Sequence, residues 1–123
     1  MAERTLRACR ILVVEDDYFL ADDLRRELNE AGATVLGPVG TLEAALSVIH
    51  SDPHIDGAVL DINLAGDSAY PAADLLTQGQ VPFAFTTGYD DSVIPSRFAH
   101  VPRCRKPVNL TKVVHAIGRA LDR

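Results

Sequence analysis

The sequence predicts an α/β fold in which helices cover both faces of a five-stranded parallel sheet. The first observation is an alternation of short apolar runs with segments of helical periodicity, which is typical of parallel strands joined by helices. The second is that the apolar runs end in polar residues, as buried parallel strands do. The chain has 123 residues and 47% hydrophobic content, which is enough to bury one core. We therefore expect one domain over residues 1–123, ordered from about residue 9 to 121.

The first half of the chain supplies three strands and two helices. The predicted strands are Arg10–Glu15, Thr34–Pro38 and Asp56–Asp61. A helix over 17–31 has one apolar face, and Gly32 follows as its C-terminal stop. That face consists of Leu20, Leu24, Leu28 and Ala31. Thr41 can cap the second helix, and Pro53 prevents its continuation. The inner face of the second helix consists of Leu42, Ala45, Leu46 and Ile49.

The second half repeats the pattern with a weaker helix in the middle. The predicted strands are Val81–Thr87 and Val101–Arg105, and a short helix covers Tyr70–Gln78. The segment Asp90–Phe98 is weakly patterned and interrupted by Pro95, so we expect a weak or shortened fourth helix. Asn109 caps a final helix. The inner face of this helix consists of Leu110, Val113, Val114, Ile117 and Leu121.

Charge and cysteine content exclude several classes of function. The net charge of −5 disfavours direct binding of nucleic acid, which needs clustered cations. No apolar stretch is long enough to cross a bilayer, and residues 1–10 lack the apolar segment of a signal peptide. We therefore expect a cytoplasmic protein that contacts no membrane. In that reducing compartment Cys9 and Cys104 are expected to be unpaired.

Polar residues of distinct chemistry follow the predicted strands. Right-handed crossovers place the carboxyl ends of parallel strands on one edge of the sheet, where open α/β folds carry their sites. The residues at or near this edge are Glu15, Asp16 and Asp17, then Asp61, Thr87 and Lys106. Two like charges about 4 Å apart repel by about 4 kcal/mol at an effective dielectric near 20. The edge therefore needs a compensating cation or bound protons. Asp17 is placed to cap the first helix instead.

These residue types suit phosphoryl transfer. Mg²⁺ prefers carboxylate and other oxygen ligands, relieves repulsion among them, and draws charge from a transferring phosphoryl group. A carboxylate can act as the nucleophile and form an aspartyl phosphate. A lysine can neutralise one phosphoryl oxygen, and a threonine hydroxyl can donate a hydrogen bond to another.

The set Glu15-Asp16, Leu60-Asp61, Thr87 and Lys106-Pro107 resembles that of a response-regulator receiver domain of two-component signalling. The resemblance covers essentially the whole chain and implies a single, flavodoxin-like receiver domain with strand order 2-1-3-4-5. It implies that Asp61 is the phospho-acceptor and that Thr87 and Lys106 contact the phosphoryl group. It also implies a Mg²⁺ site and a cis Lys106–Pro107 bond. The implied ligands are Glu15, Asp16, Asp61 and the backbone carbonyl of Asn63.

A second set of residues resembles the FATGUY subgroup of receivers. It comprises the stretch from Pro82 to Tyr89, Asp61-Ile62-Asn63-Leu64, and Ser68-Ala69-Tyr70-Pro71. The resemblance implies a stand-alone phosphoacceptor and not an enzyme with a separate substrate. Its phosphoryl donor would be a histidine kinase of the HWE or HisKA2 class, and it would act on a downstream protein or phosphotransfer partner.

One position departs from the receiver pattern. Arg103 stands where receivers usually carry Tyr or Phe, so the usual aromatic rotamer switch is unavailable. Arg103 and Arg105 alternate onto one face, where they either bind an acidic partner or are solvated edge charges. Tyr89 either contacts a partner or packs. We expect the segment Gly88–Phe98 to move on phosphorylation, because Gly88 after Thr87 permits backbone movement.

Other functions remain open at this stage. A receiver-like adaptor that is never phosphorylated is the main alternative, and the loss of the aromatic residue at Arg103 motivates it. A flavodoxin-type cofactor protein or a small phosphohydrolase is disfavoured, because the acids after the first strand repel phosphate and no glycine-rich loop is present. His50 and His54 are four residues apart, but Pro53 prevents them from forming a helical ligand pair.

Overall fold

The computed structural model describes residues 6–88 and 94–121. Its strands are β1 (Arg10–Val14), β2 (Thr34–Val39), β3 (Gly57–Asp61), β4 (Asn63–Leu64), β5 (Asp67–Ser68), β6 (Phe83–Thr87) and β7 (Arg103–Arg105). Five of them form a parallel sheet in the order β2-β1-β3-β6-β7. Among the strands of this sheet that is the predicted order 2-1-3-4-5, so the flavodoxin-like fold is confirmed.

Helices cover both faces of the sheet, as predicted. They are α1 (Tyr18–Glu30), α2 (Leu42–Ser51), α3 (Tyr70–Gln78) and α4 (Leu110–Leu121). The α1 and α4 helices pack on one face around Leu24, Leu28, Val113 and Ile117. The α2 and α3 helices pack on the other face around Ala45, Ala72, Ala73 and Leu76. Within the described ranges no helix is long and apolar enough to cross a membrane.

The amino end of the sheet is held by Arg10. Its backbone N–H donates to Asp56 Oδ2 (2.8 Å), and its side chain donates to the His54 carbonyl (2.8 Å) and to Asp52 Oδ2 (2.6 Å). These bonds join the start of β1 to the loop that leads into β3. Of the two histidines of the sequence pair, His50 lies in the last turn of α2, whereas His54 belongs to this loop. Both cysteines are free.

The start of α1 carries the cap that the sequence predicts. One carboxylate oxygen of Asp17 accepts hydrogen bonds from the N–H groups of Phe19 (2.9 Å) and Leu20 (3.2 Å). Asp17→Ala is expected to lower the free energy of unfolding by about 1 kcal/mol, because these N–H groups lose their acceptor. Urea denaturation measures the loss. Asp17→Asn keeps an acceptor and should lose much less, and equal values for the two variants would contradict the capping role.

Some boundaries differ from the sequence-based prediction. The strands predicted to begin at Val81 and Val101 begin at Phe83 and Arg103 instead. Pro82 and Pro102 stand just before them, and proline has no N–H to donate to a ladder. Their carbonyls still accept, from Ala58 and Phe85. Leu6, which precedes the expected ordered core, is fully buried and donates to the Ala31 carbonyl.

The connection between β6 and β7 contains a single 3₁₀ turn, Ser96–Phe98, in its described part. Pro95 directly precedes this turn. Tyr89 and the residues up to 93 lie outside the described part, so the expectation about Tyr89 stays a prediction. The expected movement of Gly88–Phe98 also stays a prediction.

Candidate functional site

The parallel strands bring the predicted residues to one edge of the sheet. Glu15 follows β1, Asp61 ends β3, and Thr87 ends β6 beside them. Each of these three residues is only 3% exposed, whereas Asp16 is exposed. Carboxylate oxygens of Glu15, Asp16 and Asp61 lie within 4.8 Å of one another. The expected acidic cluster is therefore present.

Lys106 faces this cluster from the loop after β7. Its Nζ lies 2.9 Å from Asp61 Oδ2 and 3.6 Å from Glu15 Oε2. Its backbone N–H donates to the Thr87 carbonyl (2.8 Å), and the following bond to Pro107 is cis, as expected. Burial lowers the pKa of Lys106, but the hydrogen bond to Asp61 and the charges of Asp61 and Glu15 raise it above its ordinary value. Lys106 is thus a fixed cation, held against two carboxylates.

Among the three acids of the cluster, Glu15 has the negative charge that its surroundings compensate least. Its Oε2 accepts a hydrogen bond from the Asp17 N–H (3.0 Å). Its Oε1 is buried without a hydrogen-bond partner among the described residues. Burial, together with the nearby charge of Asp61, raises the pKa of Glu15 to about 7, although the Asp17 N–H and Lys106 oppose the shift. An anionic oxygen that is buried and unpaired is costly, so this carboxylate favours a bound cation or a proton.

The donor set of the cluster fits a small divalent cation. It consists of carboxylate oxygens alone, which are the ligands that Mg²⁺ prefers. The unpaired Oε1 of Glu15 supplies a ligand atom that no protein hydrogen bond occupies. Asp16 is exposed, so the cluster is accessible to hydrated ions. We find no comparable group of acidic, histidine or cysteine side chains elsewhere in 6–88 and 94–121.

Asn63 lies at the start of a small hairpin that sequence reasoning did not predict. Its N–H donates to Asp61 Oδ1 (3.2 Å), and its side-chain oxygen accepts from the Gly66 N–H (2.9 Å). The hairpin pairs β4 with β5 in antiparallel fashion. Its turn places Ala65 at φ 53° and Gly66 at φ 98°. The sequence signal was Ala65-Gly66 after Asn63, because glycine favours such turns.

Two exposed aromatic side chains stand beside the cluster, and sequence reasoning missed them. Tyr18 and Phe19 open α1 and are 76% and 79% exposed. Their rings meet edge to face at 5.7 Å. A cavity of about 410 Å³ lies next to them, lined partly by Glu15, Asp16 and Tyr18. The signal was that neither aromatic belongs to the apolar face formed by Leu24 and Leu28.

Arg103 is not the solvated edge charge that one reading of the sequence expects. It is half-buried, and its guanidinium donates to the carbonyls of Phe98 (3.3 Å) and Ala99 (3.0 Å). Arg105, on the same face of β7, is exposed. Arg103 therefore stabilises the end of the 3₁₀ turn.

Comparison with known proteins relates the chain to response-regulator receiver domains. No family model and no curated protein matches it. SdrG from Sphingomonas melonis Fr1 is 35% identical over 94% of this chain and 98% of SdrG, with a TM-score of 0.81. The response regulator PhyR from Brucella abortus is 26% identical, with a TM-score of 0.79. The match covers 97% of this chain but 51% of PhyR, so this chain spans about half the length of PhyR.

A response regulator receiver protein from Sinorhizobium medicae WSM419 has the same fold. It is 22% identical over 95% of this chain and 97% of its own, with a TM-score of 0.81. The sheet order and the carboxylate cluster facing a lysine define a signalling module of two-component type. The chain belongs to the response-regulator receiver family. Receivers bind Mg²⁺ at an acidic cluster and interact with histidine kinases and downstream partners.

Proposed function

We propose that this receiver accepts a phosphoryl group on Asp61 in a Mg²⁺-dependent phosphorelay, as a stand-alone protein of the FATGUY subgroup. The observation that carries the proposal is the position of the Asp61 carboxylate. It is buried, 2.9 Å from the Lys106 ammonium, and within reach of two further carboxylates. Such a group has an anionic nucleophile, a cation for the incoming charge, and ligands for a metal in one place.

The proposed Mg²⁺ ligands are Glu15, Asp16, Asp61 and the backbone carbonyl of Asn63. When bound, Mg²⁺ neutralises the cluster and draws charge from the phosphoryl group. Glu15 contributes its unpaired Oε1, whose burial excludes water from that side of the site. Asp16, being exposed, is suited to exchange solvent for the ion. Asn63 fits because its N–H already fixes it against Asp61.

In the proposed reaction a carboxylate oxygen of Asp61 attacks the phosphorus of a phosphohistidine. The new O–P bond forms as the N–P bond breaks, and the electron pair of that bond stays on the imidazole nitrogen. Lys106 stabilises the negative charge on one phosphoryl oxygen, and the Thr87 hydroxyl donates to another. Water or a further protein then removes the phosphoryl group from the acyl phosphate.

Incubation with acetyl phosphate and Mg²⁺, followed by intact-protein mass spectrometry, tests the proposal. We expect a single phosphoryl adduct that a chelator prevents and that hydroxylamine removes, as it cleaves acyl phosphates. A protein of unchanged mass, measured under conditions that label another receiver, would favour the phosphate-independent adaptor.

The exposed aromatic pair is the proposed contact for the phosphodonor protein. Apolar side chains this exposed, beside a reaction site, are typical of partner surfaces. We propose that this partner is a cytoplasmic histidine kinase of the HWE or HisKA2 class. We also propose that the phosphorylated chain passes the signal to a downstream protein. The chemistry at Asp61 does not need the aromatic rings, so docking and reactivity should be separable.

Phe19→Ala is therefore expected to slow transfer from a histidine kinase by about tenfold, as loss of an aromatic anchor at an interface does. Labelling by acetyl phosphate should stay at the wild-type rate. Radiolabel transfer from candidate phosphorylated kinases measures the first rate. Glu30→Ala, exposed at the far end of the same helix, is the matched control. Equal loss with both donors would assign Phe19 to folding or to the site itself.

A further inference from the structure

Four aromatic side chains lie between the β4–β5 hairpin after Asp61 and the 3₁₀ turn before β7. They are Tyr70, Phe83, Phe85 and Phe98. Tyr70, at the start of α3, stacks on Phe98 with ring centroids 5.5 Å apart and planes at 22°. Both rings also meet Phe85 edge to face, at 6.1 and 5.6 Å. Phe83 meets Phe85 and Phe98 edge to face, at 5.4 and 6.2 Å. Such contacts stabilise beyond the area they bury and fix ring orientation.

Tyr70 is tied to Asp61 by short backbone links. The Ala69 N–H donates to the Ile62 carbonyl (2.8 Å), and the Tyr70 N–H donates to Ser68 Oγ (3.1 Å). At the other end of the hairpin, the Asn63 N–H donates to Asp61 Oδ1 (3.2 Å). A change at the Asp61 carboxylate therefore acts on the hairpin to which Tyr70, at the start of α3, is hydrogen-bonded.

Two arginines, Arg97 and Arg103, fix the position of the 3₁₀ turn against the aromatic side chains. Arg97 makes two hydrogen bonds to Asp74 of α3 (2.9 and 3.1 Å) and lies 4.6 Å from the Phe98 ring centroid. Arg103 donates to the Phe98 and Ala99 carbonyls from β7, where it pairs with Phe85. Burial raises the pKa of Tyr70, and the charges of Arg97 and Arg103 oppose the shift.

We propose that Arg103 is a positioning residue that opposes phosphorylation of Asp61 by holding Phe98, and through it Tyr70 and the hairpin, in the arrangement seen here. The inference rests on the proposed function and names the regulation of the same site. In this arrangement Asp61 Oδ1 accepts the Asn63 N–H (3.2 Å) and Oδ2 lies 2.9 Å from Lys106 Nζ, so both carboxylate oxygens are already in contact. Phosphorylation of either oxygen displaces one of these contacts. The links through Tyr70 and Phe98, which Arg103 holds, keep the hairpin in the position that matches the unmodified carboxylate, so Arg103 stabilises the unreacted state preferentially.

Linkage makes this coupling measurable in both directions. If the reaction at Asp61 shifts the 3₁₀ turn, then releasing the turn must favour the reacted state by the same factor. Beryllofluoride binds a carboxylate oxygen as a phosphoryl mimic, and a BeF₃-activated conformation is known for SdrG, at 34% identity and a TM-score of 0.73. Arg103→Gln should therefore bind beryllofluoride and Mg²⁺ about fivefold more tightly than the wild type. A merely structural role for Arg103 would weaken binding instead.

Backbone amide spectra during a beryllofluoride titration are the experiment. In the wild type we expect shifts at residues 61–63 and at 96–99 together. Arg103→Gln should keep the first set with the tighter midpoint and lose most of the second. Arg119→Gln removes the same charge from an exposed site on α4 and should match the wild type. Tyr70→Leu should reproduce the tighter binding, and the double variant should gain less than the product of both factors.

Two results overturn the inference, and they can be told apart because only the second also overturns the proposed function. If residues 61–63 shift in the wild type while Arg103→Gln binds no more tightly than Arg119→Gln, Arg103 has no positioning role and the phosphoacceptor proposal stands. If the wild type shows no shift at 61–63 with beryllofluoride and Mg²⁺, the phosphoacceptor proposal fails, and this inference fails with it.

Discussion

Asp61→Asn is expected to abolish labelling by acetyl phosphate, with a fall of about 100-fold or more in the phosphorylated fraction. A carboxamide is not a nucleophile toward phosphorus, and no other carboxylate of the cluster has the same surroundings. Asp61 alone is both buried and 2.9 Å from Lys106. Asp16 is exposed, and Glu15 lies 3.6 Å from Lys106 with its pKa raised to about 7.

The matched control is Asp67→Asn. Asp67 is an exposed acid on β5, six positions from Asp61 in the sequence, so the variant removes the same charge without entering the site. It should be labelled like the wild type. If Asp61→Asn keeps wild-type labelling, or if peptide mapping places the phosphoryl group on another carboxylate, the assignment of the acceptor is wrong.

Glu15→Gln is expected to stabilise the metal-free protein at pH 8, by about 2–3 kcal/mol. Ionised Glu15 is 3% exposed and has an oxygen without a partner among the described residues. Glutamine keeps an acceptor for the Asp17 N–H but carries no charge. A pKa raised from 4.5 to about 7 in the folded state corresponds to roughly 3 kcal/mol of differential stability, which sets the upper end of the expected gain.

The pH dependence has a definite sign. Because the folded state binds the Glu15 proton more tightly than the unfolded state, the protonated form stabilises the fold. This stability is fully present below pH 4.5 and is lost as the pH rises through about 7. The advantage of Glu15→Gln over the wild type should therefore be absent near pH 4 and grow across that window. Urea denaturation at a series of pH values, with chelator present, measures it.

Mg²⁺ should narrow the difference in stability between Glu15→Gln and the wild type. An ion bound at the cluster satisfies the ionised Glu15, so the wild type should gain more from Mg²⁺ at pH 8 than Glu15→Gln does. Glu30→Gln, an exposed acid on α1, should follow the wild type throughout. If Glu15→Gln and the wild type have equal free energies of unfolding at pH 8 without metal, the ionised Glu15 side chain does not destabilise the fold.

Most of the fold could be predicted because the sequence carries its signals locally. Apolar runs that end in polar residues mark β1, β3 and β6, and the apolar face of α1 repeats at helical spacing. Asp17 caps α1 as expected. The gathering of Glu15, Asp16, Asp61 and Lys106 at one edge follows from strand direction alone. These features need no knowledge of contacts between distant residues.

The features that were missed depend on such contacts. Whether the Arg103 guanidinium is solvated or bound to protein depends on the carbonyls of Phe98 and Ala99, and only the tertiary structure brings these near. The exposure of Phe19 depends on what does not pack over it, which periodicity cannot show. The hairpin after Asp61 has two residues per strand, too short for an alternating pattern. The late starts of β6 and β7 are an exception, because Pro82 and Pro102 act locally and their effect could have been predicted from the sequence.

The brace that Arg10 forms lies at the rim opposite the acids. It ties the beginning of β1 to the loop ahead of β3, with three hydrogen bonds to Asp52, His54 and Asp56. Central strands anchored in this way resist sliding past each other when charge is added at their far ends. A signalling event in this molecule should consequently leave the scaffold rigid and confine any rearrangement to the loops above it.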